Sequence, residues 1–321
     1  MKHSRKLCEL GEIKLIERIR ERTKKEEGVI VGIGDDSAVL SFGEGNLLIT
    51  SDLLIEGVHF YPYFKPYFLG WKALAVSLSD ISAMGGEPLF ALLSLSLPSH
   101  LSEEWLDDFL TGWEELAGMF NVCLVGGDMT EGEKIVIDSI VLGKADSPIL
   151  RSGAKIHDKI FVTGFLGDSS AGLFSLKKNI AHPALLEKHL KPFPRVKEGI
   201  EIGRSGKANA MIDLSDGLAS DLSHICKESG KGALLFPEKF PLSPDLVSFC
   251  HSLNISPLEF ALYGGEDYEL LITGNEQLKE SVDFPLYEIG EIIEGEDIFL
   301  FEEGKKRKLE RKGFEHFKGK R

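Results

Sequence analysis

Seven aspartates in this sequence lie among small and apolar residues rather than on charged helix faces. They occur in the motifs GIGDDSAVL, LLITSD, VSLSDISAMGG, LVGGDMT and MIDLSDGL, as Asp35, Asp36, Asp52, Asp80, Asp128, Asp213 and Asp216. Any one of them alone is more simply an N-cap or turn residue. Buried together without cationic partners, they would raise one another's pKa, and a hard divalent cation removes that penalty. Because Mg²⁺ binds through a few carboxylates together with waters and phosphate oxygens, the set predicts a magnesium site.

Glycines beside these carboxylates point to phosphate as the second ligand. The segments GIGDD, GGD, SDG and GGED, the last containing Glu266 and Asp267, let main-chain N–H groups approach phosphate oxygens with no Cβ in the way. The sequence contains no G-x-x-x-x-G-K-[ST] motif, no G-x-G-x-x-G motif after a strand, and no H-R-D or D-F-G pair. ATP chemistry in this chain would therefore use another scaffold.

The composition sets limits on the partners. The chain has 321 residues, more than one core usually holds, so two domains are expected. Its formal net charge of -14 disfavours nucleic acid, and anionic ligands would need cations to offset the repulsion. No apolar run approaches the roughly 20 residues of a membrane helix, and the N-terminus lacks an apolar signal segment. We therefore expect a cytoplasmic protein that does not bind membranes.

Interleaved helices and strands must position the aspartates. The patterns predict helices over 12–26, 70–84, 103–120, 169–178, 216–229 and 244–253, and strands over 47–50, 91–97, 122–125, 135–142, 159–163, 208–213, 233–236, 269–273 and 285–292. This alternation is typical of an α/β or α+β fold. A polar, turn-rich connection near 145–158 predicts a boundary between an N-terminal domain, 1–147, and a C-terminal domain, 148–321.

Nine motifs in order resemble those of thiamine-monophosphate kinases. They are ELGEIKLI, GIGDDSAV, TSDLLIEGVHF, GWKALAVSLSDISAMGG, VGGDMT, RSGAK, DLSDGL, YGGEDYELL and KGFEHF, and they span about residue 9 to 317. The resemblance implies the two-domain superfamily fold shared with aminoimidazole ribonucleotide synthetase, with N-terminal domains pairing as a homodimer around a β-barrel. It also implies several Mg²⁺ ions and direct phosphoryl transfer from ATP to thiamine monophosphate, without a phosphoenzyme.

The resemblance also assigns roles to residues. It implies that Mg²⁺ is held by Asp36, Thr50, Ser51, Asp52, Asp80, Asp128, Asp213 and Asp216, with Asp35 shaping the loop. It places Gly127, Asp128, Arg151 and Ser215 at ATP, and His59, Glu266 and Phe314 at the substrate. Many relatives have Trp where Phe314 stands, and Leu110 occupies the place of a tyrosine that some relatives have beside the adenine.

Other members of the superfamily remain alternatives. Selenophosphate synthetase needs a reactive cysteine in a glycine-rich N-terminal loop, whereas Cys8 lies in LCELGEI. The hydrogenase maturation protein ends in a catalytic cysteine, whereas this chain ends in Gly-Lys-Arg. An amidine-forming synthetase would use the same ATP site with an amide acceptor, and a non-catalytic module would bind Mg²⁺ and nucleotide without turnover. The identity of the acceptor separates these hypotheses.

Overall fold

The first half of the chain forms a six-stranded sheet. The computed structural model describes residues 11–23, 27–43 and 45–310. The strands are β1 (Val29–Val31), β2 (Ala38–Phe42), β3 (Gly45–Ile55), β4 (Glu87–Leu97), β5 (Cys123–Glu131) and β6 (Val136–Ala145), in the order β1-β2-β3-β6-β4-β5. The helices are α1 (Glu12–Arg20), α2 (Pro66–Ala83) and α3 (Glu103–Phe120). Helix α2 packs against the sheet, and α3 packs against α2.

Helix α2 is the central element of this half. Most of its residues from Leu69 to Ala83 are buried, and Pro66 stands in its first turn, where a missing N–H costs nothing. Two glycines let α2 and α3 cross closely. A Cβ on Gly70 would lie 1.8 Å from the carbonyl oxygen of Phe109, and a Cβ on Gly112 would lie 1.9 Å from that of Tyr67. The glycines thus fix where α2 runs across the sheet.

The second half of the chain forms a seven-stranded sheet with helices. The strands are β7 (Lys159–Val162), β8 (Ala208–Asp213), β9 (Gly232–Leu235), β10 (Leu270–Gly274), β11 (Tyr287–Ile293), β12 (Ile298–Glu302) and β13 (Lys305–Lys308), in the order β13-β12-β9-β11-β7-β10-β8. The helices are α4 (Asp168–Lys177), α5 (Pro183–Leu190), α6 (Val196–Ser205), α7 (Leu218–Ser229), α8 (Pro244–Leu253) and α9 (Pro257–Tyr263). Strand β9 pairs in parallel with β12, and the other neighbours are antiparallel.

Every predicted helix and strand has a counterpart in the structure, with shifted ends. Helix α1 ends at Arg20 rather than 26, α2 begins four residues earlier than predicted, and β5 continues through the GGD motif to Glu131. Three helices and four strands were not predicted from the sequence: α5, α6, α9, β1, β2, β12 and β13. The missed strands have five residues or fewer, and α5 and α9 make about two turns each, so little periodicity shows in them. Helix α6 is strongly amphipathic, and its pattern could have predicted it.

The face of the six-stranded sheet opposite α2 is partly open to solvent. Leu53 on β3 is 51% exposed and Phe42 on β2 is 73% exposed, and β5 is exposed along its whole length. Within the described ranges this sheet is open, with β1 and β5 at its edges, and does not close into a barrel. Among the same residues, no helix is both long enough and apolar enough to cross a membrane.

Candidate metal and phosphate site

Three of the predicted aspartates meet at one point between the two halves of the chain. Asp36 lies in the loop before β2, Asp80 lies in the last turn of α2, and Asp213 is the last residue of β8. One carboxylate oxygen from each lies within 4.8 Å of the others. Asp36 and Asp213 are buried, and Asp80 is half-buried. The group therefore joins residues up to 177 positions apart in the sequence, from 36 to 213.

The donor set fits a divalent cation. Asp36 Oδ1 accepts a hydrogen bond from Arg151 Nη2 at 2.5 Å, whereas its buried Oδ2 has no hydrogen-bond partner. A buried carboxylate oxygen without a partner is costly unless something positive binds it. The single guanidinium of Arg151 cannot balance three carboxylates, and oxygen ligands of this kind are those that Mg²⁺ prefers.

Burial and mutual repulsion disturb the titration of these carboxyls. Burial, reinforced by the Asp36 charge, raises the pKa of Asp213 to about 8. Burial likewise raises the pKa of Asp80 well above its usual range, with Asp52 and Asp213 adding to the effect. Burial also raises the pKa of Asp52 to about 6, against the opposing hydrogen bond from Ser77. Without a cation Asp80 and Asp213 retain protons near neutral pH, so a bound cation would displace protons.

Strand β3 divides the predicted ligands between the two faces of its sheet. Thr50 Oγ1 donates a hydrogen bond to Asp80 Oδ2, and Asp52 lies two residues further along on the same face. Ser51 points to the opposite face, where its Oγ donates to Asp138 Oδ1 at 2.8 Å. Thr50 and Asp52 thus adjoin the three aspartates, and the side chain of Ser51 does not.

Asp128 also lies away from the group of three. It is exposed on edge strand β5, and the strand register places it opposite Ser94, which lies opposite Asp138 on β6. Directly paired residues share a sheet face, so Asp128 and Ser51 are on the open face. The preceding Gly127 has φ of 152°, and a Cβ there would lie 1.8 Å from the carbonyl oxygen of Leu93. Only glycine allows β5 to run this close to β4.

The loop after β8 carries Ser215 and Asp216. Asp221, buried in the first turn of α7, accepts main-chain hydrogen bonds from Asp216 at 3.1 Å and from Gly217 at 3.0 Å. The carbonyl oxygen of Ser215 accepts the N–H of Glu266 at 2.8 Å, which ties this loop to the GGED motif. The DLSDGL loop is therefore fixed from both sides.

Glu266 lies in a buried ion-pair network. Its Oε1 is 3.0 Å from Lys72 Nζ on α2, and its Oε2 is 3.1 Å from His189 Nδ1 on α5. Burial alone would raise the pKa of Glu266, but Lys72 and His189 outweigh it and hold the pKa below its usual range. Glu266 has φ of 66°, an uncommon conformation for this residue type, and the network holds it there.

The other two residues predicted to contact the substrate are His59 and Phe314. The N–H of Ile55 donates to His59 Nδ1 at 3.0 Å, so the neutral imidazole carries its proton on Nε2. Phe314 lies outside the described residues.

Comparisons with known proteins identify the family. Residues 34–145 match the sequence model of the AIR synthase related protein N-terminal domain, and residues 155–302 match that of the C-terminal domain. The chain is 39% identical to a thiamine-monophosphate kinase of Aquifex aeolicus over 97% of this chain and 100% of that protein. It is 41% identical to one of Buchnera aphidicola over 95% of this chain and 98% of that protein. The chain belongs to the thiamine-monophosphate kinase family.

A solved structure shows the same architecture. The structure of AaThiL complexed with AMPPCP and TMP matches with a TM-score of 0.90 and 38% identity, covering 98% of this chain and 100% of that one. The predicted resemblance to thiamine-monophosphate kinases and the two-domain α/β fold of the AIR synthase superfamily are thereby confirmed.

Three residues that contact the predicted site residues, Lys72, Asp221 and His189, were not predicted from the sequence. Lys72 sits in the apolar stretch GWKALAVSL, where a lone lysine flanked by apolar residues is a signal for a buried ion pair. Asp221 follows DLSDGL by a few residues, in the repeat of Asp at 213, 216 and 221. His189 had no comparable signal, because it stands in an ordinary charged helix.

Proposed function

We propose that this protein transfers the γ-phosphoryl group of ATP to thiamine monophosphate, giving ADP and thiamine diphosphate. The observation that carries the proposal is the buried group of Asp36, Asp80 and Asp213, with the unpartnered Oδ2 of Asp36, in a chain of this family. Support also comes from AaThiL, a relative at 38% identity whose structure holds AMPPCP and TMP. AMPPCP is an ATP analogue, so nucleotide and TMP can occupy this fold together.

The cation we propose is Mg²⁺, held first by Asp36, Asp80 and Asp213. We propose that Thr50 and Asp52, which adjoin this group, and Asp216 in the loop after β8 complete the set, with Ser51 and Asp128 as further ligands from the open face of the sheet. When bound, Mg²⁺ would neutralise repulsion between the ATP and acceptor phosphates on a protein whose net charge is already -14.

The chain's own residues would supply orientation. Arg151 reaches the aspartates through Nη2, and its buried Nε has no partner, so the guanidinium still has a donor to offer to a phosphate oxygen. We propose that Gly127, Asp128 and Ser215 also contact ATP, and that His59, Glu266 and Phe314 contact thiamine monophosphate. An acceptor phosphate oxygen is already anionic, so the transfer needs no strong general base and no covalent intermediate on the protein.

The test is a direct assay of product. Purified protein is incubated with ATP, Mg²⁺ and thiamine monophosphate, and thiamine diphosphate is followed by thiochrome fluorescence after separation. Product that requires Mg²⁺ and falls by orders of magnitude in the Asp213→Asn variant supports the proposal. Asp158→Asn is the matched control, because Asp158 is a buried carboxylate outside the group that bonds to Asn209 and to the N–H of Lys155. A folded protein that binds ATP but makes no product would redirect the search to other acceptors, amides first.

We also propose a homodimer in which the open faces of two six-stranded sheets pack together as a β-barrel. That face carries exposed apolar side chains, including Leu53, and exposed β5 leaves a sheet edge that soluble proteins usually cover. The face also carries Ser51 and Asp128, which would then lie at the subunit interface.

The domain boundary and the cellular location also remain predictions. We propose the domain division at 147/148, between the last strand of the first sheet and the first strand of the second. A cytoplasmic location also stays a prediction.

A further inference from the structure

Two serines on helix α2 use their hydroxyl groups in an unusual way. Ser77 and Ser79 are both fully buried. A buried serine in a helix commonly donates to the carbonyl oxygen four residues earlier, as Ser82 of the same helix does to Leu78 at 2.6 Å. Ser79 instead donates to a carboxylate on another element, and Ser77 shares its one hydroxyl proton between a carboxylate and a carbonyl oxygen on other elements.

Ser79 bridges the two halves of the chain. Its Oγ donates to Asp213 Oδ2 at 2.7 Å, from α2 to the end of β8. Both side chains are buried, with Ser79 0% and Asp213 2% exposed, so water does not compete for the bond.

Ser77 makes the corresponding contact within the first half. Its Oγ lies 2.9 Å from Asp52 Oδ2 and 2.8 Å from the carbonyl oxygen of Ser139. Asp52 and Ser139 are direct cross-strand partners in β3 and β6, so the hydroxyl lies over their junction. Residues two positions apart on a helix lie about 200° apart around its axis, so the hydroxyls of Ser77 and Ser79 reach carboxylates on opposite sides of α2, one in each half of the chain.

These contacts complete a pattern across the site. Thr50 holds Oδ2 of Asp80, Ser77 holds Oδ2 of Asp52, Ser79 holds Oδ2 of Asp213, and Arg151 holds Oδ1 of Asp36. In each carboxylate a donor fixes one oxygen, and the other oxygen can then turn toward a cation.

We infer that Ser77 and Ser79 are positioning residues that orient Asp52 and Asp213 for a divalent cation. Neither serine is among the residues assigned to metal or nucleotide above, and the inference rests on the proposed metal site. Ser79 has the larger role, because it also fixes the position of β8 relative to α2. Donors behind metal ligands commonly contribute a factor of 10–100 to metal affinity, and about 10-fold is expected for the loss of one hydroxyl.

The experiment measures cation binding without turnover. Mn²⁺ is titrated into the full-length protein in the absence of ATP, and free Mn²⁺ is followed by electron paramagnetic resonance. The Mg²⁺ concentration for half-maximal product formation is measured in parallel. Ser79→Ala is expected to weaken Mn²⁺ binding and raise the half-saturating Mg²⁺ concentration about 10-fold, and Ser79→Thr is expected to restore both. Ser82→Ala, which loses only a local helix bond, is expected to change neither.

The outcomes separate this inference from the proposed function. Unchanged Mn²⁺ binding and Mg²⁺ dependence in a folded Ser79→Ala protein would overturn the inference, even if thiamine diphosphate forms. Weakened Mn²⁺ binding would support it, even if the wild type makes no thiamine diphosphate and the proposed function fails. If Ser79→Ala does not fold, Ser79→Cys keeps the volume with a weaker donor, and Ser77→Ala provides the same readout at Asp52.

Discussion

The buried amine of Lys72 lies 3.0 Å from Glu266 Oε1 and joins helix α2 of the first half to the GGED motif of the second. Lys72 is 1% exposed, and its Nζ also donates to the carbonyl oxygen of His189 at 3.3 Å. His189 in turn lies against the other oxygen of Glu266. Burying a lysine is costly unless its charge is paired, so this network holds the two halves in one arrangement.

Replacing Lys72 by Met is expected to lower the free energy of unfolding by about 3 kcal/mol, because the half-buried Glu266 loses its lysine partner and retains only His189. Urea denaturation measures the change. The control is Lys144→Met, whose pair with Glu87 is exposed on both sides and should contribute less than about 1 kcal/mol. A loss of unfolding free energy in Lys72→Met no larger than that in Lys144→Met would show that the Lys72–Glu266 pair contributes no more to stability than an exposed pair.

The stability of the metal-free protein is expected to fall as pH rises from about 4 to about 8. Folding raises the pKa of Asp213 to about 8, Asp35 to about 7 and Asp52 to about 6, so the folded state binds protons more tightly than the unfolded state. That contribution is complete at low pH and is lost as pH passes through the folded-state values. Thermal melting between pH 5 and 8.5 in EDTA measures it, and Mg²⁺ should flatten the slope.

His189 titrates in the opposite sense within this range, because burial and nearby Lys72 lower its pKa. The decisive quantity is therefore the difference between wild type and Asp213→Asn in EDTA, which removes the Asp213 carboxyl together with its repulsion of Asp80. A variant with the same slope as the wild type would contradict the assignment of the effect to Asp213.

Arg151 is expected to contribute to the binding of ATP more than to the binding of thiamine monophosphate. Replacing it by Met should raise the KM for ATP about 10–100-fold, the value of one lost charge-assisted hydrogen bond of 1.5–3 kcal/mol. Steady-state kinetics with each substrate varied in turn measures the effect. Lys155→Met is the control, because Lys155 is an exposed cation four residues later that bonds to Asn209. An unchanged KM for ATP in Arg151→Met would remove Arg151 from the phosphate site.

The open face of the first sheet is expected to be buried in a homodimer. Replacing Leu53 by Glu puts a charge on that face and should yield monomers in analytical ultracentrifugation at micromolar concentration. Val247→Glu on α8 introduces the same charge at a residue of similar exposure in the other half, and should leave the oligomeric state unchanged. A wild-type protein that sediments as a monomer would refute the dimer directly.

Local patterns were sufficient for most elements of the fold. The alternation of Ala91, Leu93, Leu95 and Leu97 predicted β4, and the small apolar residues of 70–84 predicted α2. Both predictions depend only on the spacing of apolar residues that are close together in the sequence. The limits of α2 and β5 could not be predicted in this way. Helix α2 begins at Pro66 and packs closely on α3, and β5 continues through the GGD motif because it packs closely on β4. Short elements such as α5 and β12 carry too few residues for a period to show.

The sequence by itself determined which residues could form the site. Asp36, Asp80 and Asp213 stood out as members of a set, because several carboxylates buried together among glycines and apolar residues are costly unless a cation binds them, and the structure brings these three together. The order of the motifs was also sufficient to recognise the family, because nine motifs in one order along the chain are far more specific than any one of them.

Only the tertiary structure decided which carboxylates meet and which donors hold them. Ser51 and Thr50 are neighbours in sequence, yet they point to opposite faces of β3, because side chains alternate along a strand. Ser79 and Asp213 are 134 residues apart, and Lys72 and Glu266 are further apart still. Hydrogen bonds and ion pairs act over about 3 Å of space rather than along the chain, so these partners are determined by how α2 packs between the two sheets.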